Sequence, residues 1–377
     1  MQRVSVTLTR GGPFLSLLKA TRLLRGDGSN RARPTLALVA LTWLPLLLLA
    51  PFSPGAGLLL TDFAVHTRLL VAIPLLLSAE GTLHALCSDA IDDFAQARLD
   101  EGLAPGIIEG VVRRADRWWS SAAAELLCLL IALLLGQLNL WRGGAGLFTM
   151  HETLHRPISA VTLWYAVIAL PAANFLFLRC VWRWLVWSQL LWRFSRLEMR
   201  LVATHPDLCG GLATLAIPCH GLAPVLVAFG ASLAGSWGSQ IVYLGAKLAS
   251  FQRPIVVLAV LAVVIGLGPL AFFSGALYRV KLSGRIQYGA LARAYTAQFH
   301  ERWIVQGDRA ELLGTPDLQS LADLANSFSV VRQMRLVPLE RREALALVAA
   351  ILLPMFPLLL TEIPLRQLVT KLAGAFF

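Results

Sequence analysis

The stretch PIVVLAVLAVVIGLGPLAFFSGALY, residues 254–278, contains no charged side chain. An α-helix rises about 1.5 Å per residue, so a helix of this stretch is long enough to cross the hydrocarbon core of a bilayer, about 30 Å thick. Water cannot satisfy backbone N–H and C=O groups in that core, whereas a helix satisfies them within the segment itself. The stretch therefore predicts a transmembrane helix.

Six further apolar runs of similar length lie on either side of this one. Hydrophobic residues make up 57% of the 377 residues and charged residues 15%, whereas a soluble domain carries about 25% charge. We therefore predict an all-α, polytopic membrane protein with about seven transmembrane helices and a helical cytoplasmic layer. The predicted spans are 34–52, 66–86, 121–141, 158–178, 212–237, 254–278 and 343–361.

Arginine and lysine are distributed unevenly between these spans. Of the 33 basic residues, 26 lie in the N-terminal arm and in every second loop. Because basic loops stay on the cytoplasmic side, we expect a cytoplasmic N-terminus and an external C-terminus. The net charge of +11 follows this pattern and predicts no nucleic-acid partner. Abundant Leu, Ala and Arg, with only four lysines, favour a GC-rich bacterial genome as the source.

The spans divide the chain into four parts. The basic residues before the first span form a cytoplasmic arm, which lacks the short n-region and cleavage site of a signal peptide. The parts are the arm, 1–33; a six-span bundle, 34–278, with amphipathic inner loops 87–120 and 179–211; a cytoplasmic helical segment, 279–342; and the last span with the external C-terminus, 343–377.

Helix-breaking residues predict the irregular points of the bundle. Between Pro157 and Ala203 there is one proline and no glycine, so the fourth span is expected to continue to about Ala203 as one long helix. Pro354 and Pro357 are expected to kink or break the last span.

Two strings resemble a known group of proteins. They are LRCVWRWLVWSQLLWRFSRLEMRLVATHPDLCGGL (178–212) and LLGTPDLQSLADLANSFSVVRQMRLVP (312–338). Both are similar to an uncharacterised family of multi-pass bacterial inner-membrane proteins. The resemblance implies a bacterial inner-membrane location and supplies no mechanism and no site residues.

Ionisable residues inside the predicted spans are the first candidate site. Ionised groups at membrane depth are costly, so they should face protein or water and pair with one another. One interpretation is a vestibule or ion-handling site; the other is a structural Glu–Arg network with Arg179 extended towards the headgroups. The set, all in the predicted cytoplasmic half of the bilayer, comprises Glu80, His84, Glu125, Arg179 and His220.

His151, Glu152 and His155 match the H-E-x-x-H pattern, which on a helix binds Zn²⁺. Preceding glycines and the following Pro157 instead predict an outer loop, where the two histidines do not share a helix face. A metal site is therefore not expected, and we predict no cofactor.

A second polar motif follows the long fourth helix and contains His205, Asp207, Gly210 and Gly211. His205 and Asp207 could form an acid–base pair or bind a cation. The alternative is a helix stop with a capped, glycine-containing turn, which the proline between them favours.

For function, the sequence favours an ion or small-solute permeation protein, a channel or transporter, that is oligomeric. One alternative is a membrane sensor or scaffold that acts through its cytoplasmic helices. The other is a membrane metalloprotease that uses the H-E-x-x-H residues. Expected partners are membrane lipids, further copies of the chain and an unidentified ion or small solute.

Overall fold

The computed structural model describes residues 8, 11–23, 31–53, 56–100, 104–141, 159–306 and 316–361. Within these ranges the chain is helical and contains no strand. The α-helices are α1 (Pro13–Ala20), α2 (Ala32–Leu49), α3 (Ala56–Thr61), α4 (Phe63–His66), α5 (Ile73–Asp100), α6 (Pro105–Trp119), α7 (Ala122–Trp141), α8 (Ala160–Trp164), α9 (Leu170–Phe194), α10 (Ala223–Leu244), α11 (Gln252–Leu267), α12 (Ser274–His300), α13 (Pro316–Gln333) and α14 (Arg341–Leu352).

Seven helical segments in these ranges are long and apolar enough to cross a membrane. This confirms the predicted fold class. Several segments join α-helices through short π or 3₁₀ stretches. In chain order the spans are Ala32–Phe52, Phe63–Arg98, Gly106–Leu138, Ala160–Phe194, Ala213–Leu244, Leu248–Val305 and Arg341–Thr361.

The first and third spans begin at the end of the bundle where α1 lies, which we call the α1 end. Here the N–H of Phe14 in α1 contacts Glu125, near the start of α7. The second and fourth spans reach the same level after crossing the bundle, because Phe63 to Glu80 and Ala160 to Arg179 each span about 26–29 Å of helix. Four helices therefore bring side chains to one depth at this end.

Beyond that depth α5 and α9 continue for several turns. These continuations pack with later helices in the largest apolar cluster, which includes Phe94, Trp187, Phe194, Phe273 and Val331. Phe94 stacks on Phe194 with ring centroids 4.4 Å apart. The α1 end thus carries a helical layer built from continuations of the spans.

The predicted loops after the second and sixth spans are therefore largely continuous helix. Residues 87–100 contain no proline or glycine and extend α5. Residues 279–300 extend α12, and Gly284 is compatible with this because it packs against Ala203 and Val331. Within the described part of these two loops, α6 (Pro105–Trp119) and α13 (Pro316–Gln333) are separate helices.

The fourth span ends at Phe194 and not near Ala203 as expected. After it, the apolar side chains of Leu197, Met199 and Leu201 pack on the core, while the residues between them are exposed. This alternation has the period of extended chain, not of a helix. Burial of alternate residues therefore ends the helix without a proline or glycine.

The last span is α-helical up to Leu352 and then forms a 3₁₀ stretch, Leu353–Thr361. Pro354 and Pro357 lie in this stretch. Since proline has no N–H to donate, α-helical hydrogen bonding stops at the predicted prolines.

Candidate functional site

Five ionisable side chains meet at the α1 end of the bundle. We call them the charge cluster: Arg31, Glu80, Glu125, Arg179 and Arg183. Glu80, Arg179 and Arg183 are only 2–3% exposed. Glu80, Glu125 and Arg179 were predicted to share this depth, and the structure brings them into direct contact.

Glu80 lies at the centre of the charge cluster. Its carboxylate is 2.8 Å from a guanidinium nitrogen of Arg183 and 2.9 Å from one of Arg179. Arg31, directly before the first span, approaches Glu80 at 3.3 Å and also donates to the carbonyl of Leu77 at 2.7 Å. Three spans are thereby linked through one carboxylate.

Glu125 connects the charge cluster to α1. It pairs with Arg179 at 2.8 Å and accepts a hydrogen bond from the N–H of Phe14 at 2.8 Å. The Phe14 ring lies 4.5 Å from the Arg179 guanidinium carbon, within the range of a cation–π contact. Gly12 has φ of 123°, and a Cβ there would overlap Glu125. Only glycine fits this approach of α1 to the third span.

Tryptophan covers another side of the charge cluster. The Arg183 guanidinium lies 5.2 Å from the centre of the Trp119 ring. The His84 ring is 6.0 Å from the same tryptophan and is 7% exposed, so His84 lies next to the cluster.

Three guanidiniums and two carboxylates give the charge cluster one excess positive charge. Ion pairs this deeply buried add little stability over an apolar core, because each charge loses its hydration. Ionisable residues at membrane depth typically mark ion or substrate paths. Chemically, the arrangement can hold an anion if a carboxylate moves away, or it can close a pathway while all pairs are formed.

His220 does not join the charge cluster. Its side chain is exposed, and its Nδ1 lies 3.1 Å from the carbonyl of Ile217. His220 lies in a 3₁₀ stretch, Ala213–Leu222. A 3₁₀ helix has three residues per turn and an α-helix has 3.6, so the same residue lies on a different face in the two kinds of helix. The depth expected for His220 was therefore not enough to predict where its side chain lies.

The His205 motif forms a tight turn that leads into the fifth span. The Asp207 carboxylate accepts hydrogen bonds from the N–H groups of Cys209 at 2.8 Å, Gly211 at 3.0 Å and Ala213 at 3.1 Å. Burial raises the pKa of Asp207, but these N–H donors outweigh it and hold the pKa below its ordinary value. His205 Nδ1 lies 2.7 Å from Asp207.

The two glycines of this turn have positive φ, 65° at Gly210 and 89° at Gly211. A Cβ on Gly210 would be 3.3 Å from Leu201. The N–H of Arg335 donates to the carbonyl of Leu208 at 2.7 Å, which ties the turn to the chain before the last span. These contacts are those of a capped turn.

The H-E-x-x-H residues His151, Glu152 and His155 lie outside the described residues. The expectation that they hold no metal therefore stays a prediction.

A second polar group lies towards the opposite end of the bundle. Asp62 is fully buried and accepts hydrogen bonds from the N–H of Ala64 at 3.0 Å and the hydroxyl of Ser239 at 3.4 Å. Arg68 donates to the Tyr165 hydroxyl at 2.5 Å. We call Asp62, Arg68, Tyr165 and Ser239 the opposite polar group.

Two π-helical stretches meet in the opposite polar group. Arg68 belongs to one, Thr67–Ala72, and Tyr165 to the other, Tyr165–Ala169. Such stretches are rare and frequently occur at functional sites. Neither Asp62 nor Arg68 was among the candidate site residues predicted from the sequence.

Sequence reasoning also missed two members of the charge cluster. Arg183 was assigned to the amphipathic inner loop 179–211, although its place four residues after Arg179 puts both on one face of the helix. Arg31 was counted in the basic arm. Its position directly before the first span, at the same end as Glu80, was the available signal.

Comparison with models of protein families, with curated proteins and with solved structures finds no match to this chain.

Proposed function

We propose that this membrane protein is a permeation protein, a channel or transporter, whose pathway the charge cluster closes at the α1 end. The observation that supports this most is the burial of Glu80, Glu125, Arg179 and Arg183 at one depth on three spans, with the half-buried Arg31 paired to Glu80. If the charge cluster served only to hold the helices together, apolar side chains could replace its charged ones at no loss of stability. The excess positive charge favours an anion over a cation.

The interior between the two polar groups supports a closed state. Arg68 and Glu80 are about 18 Å apart along the second span. The side chains of Leu69, Ile73 and Leu77 between them are buried and apolar. Ions do not cross such a packed section, so permeation requires rearrangement or a path between copies of the chain.

The location proposed with this function is the bacterial inner membrane, with the α1 end cytoplasmic. Its support is the 26-of-33 share of basic residues on one side of the predicted spans. The resemblance of 178–212 and 312–338 to multi-pass inner-membrane proteins agrees with it. Assembly of several copies is part of the proposal.

Flux through reconstituted liposomes tests the proposal. Wild type, Glu80→Gln and Arg183→Met are compared for chloride and potassium flux at equal amounts of folded protein. In at least one of these two variants, chloride flux should be at least tenfold faster than in wild type, because the substitution weakens the ion pairs that close the pathway. Potassium flux should change less. Glu198→Gln, an exposed carboxylate in the chain after the fourth span, is the matched control. If both variants fold and leak no more than empty liposomes, the permeation proposal is wrong.

A sensor or scaffold is the second candidate, and the hairpin of α12 and α13 favours it. Asp317, in the first turn of α13, accepts from Arg302 at 2.9 Å and from Trp303 at 3.3 Å, both in the π-helical stretch Glu301–Val305 that follows α12. Ile286 and Leu291 on α12 are 64% and 55% exposed, as on a partner-binding surface. If the protein is a sensor or scaffold, replacing both residues with serine should abolish cross-linking to a partner protein and leave ion flux unchanged.

A further inference from the structure

We propose that a groove at the α1 end binds the headgroup of an anionic phospholipid. The groove has a volume of about 430 Å³ and lies between the end of the fourth span and the sixth span. This volume falls in the range of small-molecule sites, about 300–1,000 Å³. Trp192, Ser195 and Arg196 form one wall, and Phe272, Gly275 and Arg279 form the other.

Counted along the sixth span, the groove lies at the end of one hydrocarbon-core thickness of helix. The sixth-span helix starts at Gln252, and Phe272 lies about 30 Å further along it, which is the thickness of the hydrocarbon core. Gly275 and Arg279 follow within the next two turns. The two walls are held side by side, because Trp184 donates to the carbonyl of Ile265 at 2.8 Å.

The charges of the groove select the ligand class. Arg196 and Arg279 are exposed, and neither forms an ion pair within the part of the chain that the structure describes. Arg196 lies 5.5 Å from the Trp192 ring, so its guanidinium is held beside the groove. Two guanidiniums without carboxylates match a phosphate, which they can bind through charge-assisted hydrogen bonds.

The apolar walls distinguish a lipid from a free anion. Trp192 and Phe272 are each 45% exposed and lie beside the two arginines. Tryptophan is enriched where bilayer and water meet, and basic pockets between spans bind anionic headgroups. Among the residues that the structure describes, and apart from its own helix, a Cβ on Gly275 would meet no atom within 4 Å, so the groove is open there. A phosphate occupies the basic part while the acyl chains follow the apolar sixth span.

Native mass spectrometry with equimolar phosphatidylglycerol and phosphatidylcholine tests the proposal. Wild type should retain phosphatidylglycerol, and the Arg196→Gln/Arg279→Gln variant should bind it at least tenfold more weakly. Gly275→Leu, which fills the open space without changing charge, should have a similar effect. The control Arg285→Gln/Arg293→Gln removes the same charge from exposed positions further along α12 and should stay within twofold of wild type.

Three outcomes overturn the inference. In the first, the groove variants, folded as judged by helicity, retain phosphatidylglycerol like wild type. In the second, the control loses as much lipid as the groove variant, which shows general electrostatic attraction. In the third, millimolar inorganic phosphate displaces the lipid, which shows a site for free phosphate.

Discussion

Replacing Glu80 with glutamine should destabilise the folded protein far more than replacing Arg183 with methionine. The charge cluster contains three guanidiniums and two carboxylates. Glu80→Gln leaves three positive groups and one negative group, so the excess rises from one to two. Arg183→Met leaves two of each, so the charge becomes balanced.

The two magnitudes follow from the partners that remain. After Glu80→Gln, Arg183 is 3% exposed and has lost the carboxylate that lay 2.8 Å away. Removing one partner of a buried ion pair costs about 3–5 kcal/mol of stability. After Arg183→Met, Glu80 keeps Arg179 at 2.9 Å and Arg31 at 3.3 Å. Apolar replacement of a buried charge with similar volume is often neutral, so we expect a loss on the order of 1 kcal/mol or less.

Unfolding by dodecyl sulfate in mixed micelles, followed by circular dichroism, measures both free energies of unfolding in the same detergent. Glu198→Gln is the control, because it removes an exposed carboxylate. The Glu80 variant should lose at least about 2 kcal/mol more than the Arg183 variant, the difference between the two expected costs. Equal losses, or a larger loss for Arg183→Met, would show that charge balance does not govern this cluster.

Three further predictions concern the turn, α1 and the topology. The pKa of Asp207 is depressed in the folded protein, so its carboxylate stabilises the fold at pH values above the unfolded pKa of about 3.9. This stabilisation is lost as the pH falls through the folded pKa. The drop in thermal unfolding temperature between pH 6 and pH 3 should therefore be smaller for Asp207→Asn than for wild type. Gly12→Ala, which combines a φ of 123° with overlap on Glu125, should lower stability by about 1–3 kcal/mol. Gly245→Ala, in the left-handed helical region at φ of 70° and without overlap on a described residue, should cost less. Reporter fusions within 285–335 should report the cytoplasm and fusions at the C-terminus the outside, and a cytoplasmic C-terminus would contradict the seven-span orientation.

The number of spans was predictable because a bilayer imposes a length and a polarity that few other environments require. The ends of the helices were less predictable. The fourth helix ends at Phe194 because Leu197, Met199 and Leu201 bury alternate side chains, and this period-two pattern was present in the sequence. It was overlooked because the absence of proline and glycine was taken as sufficient for a helix.

The depth of the candidate site residues was predictable from the sequence, but the face of the helix on which each side chain lies was not. Counting residues from span ends placed Glu80, Glu125 and Arg179 at one level, and they are in contact. The same counting placed His220 there, yet its side chain is exposed. Depth depends on rise per residue, whereas the face depends on helix type, and a 3₁₀ stretch cannot be recognised from hydropathy.

The contacts of the charge cluster divide into two sets with different consequences for the proposed function. Glu80, Arg179 and Arg183 lie within spans and hold them together. Phe14 and Arg31 precede the first span, where Phe14 in α1 contacts Glu125 and Arg31 contacts Glu80. If α1 leaves, Glu125 loses an N–H donor and Arg179 loses a cation–π partner, while the pairs between spans remain. Opening would therefore begin at Glu125, so a gate of this kind is controlled by the segment before the first span.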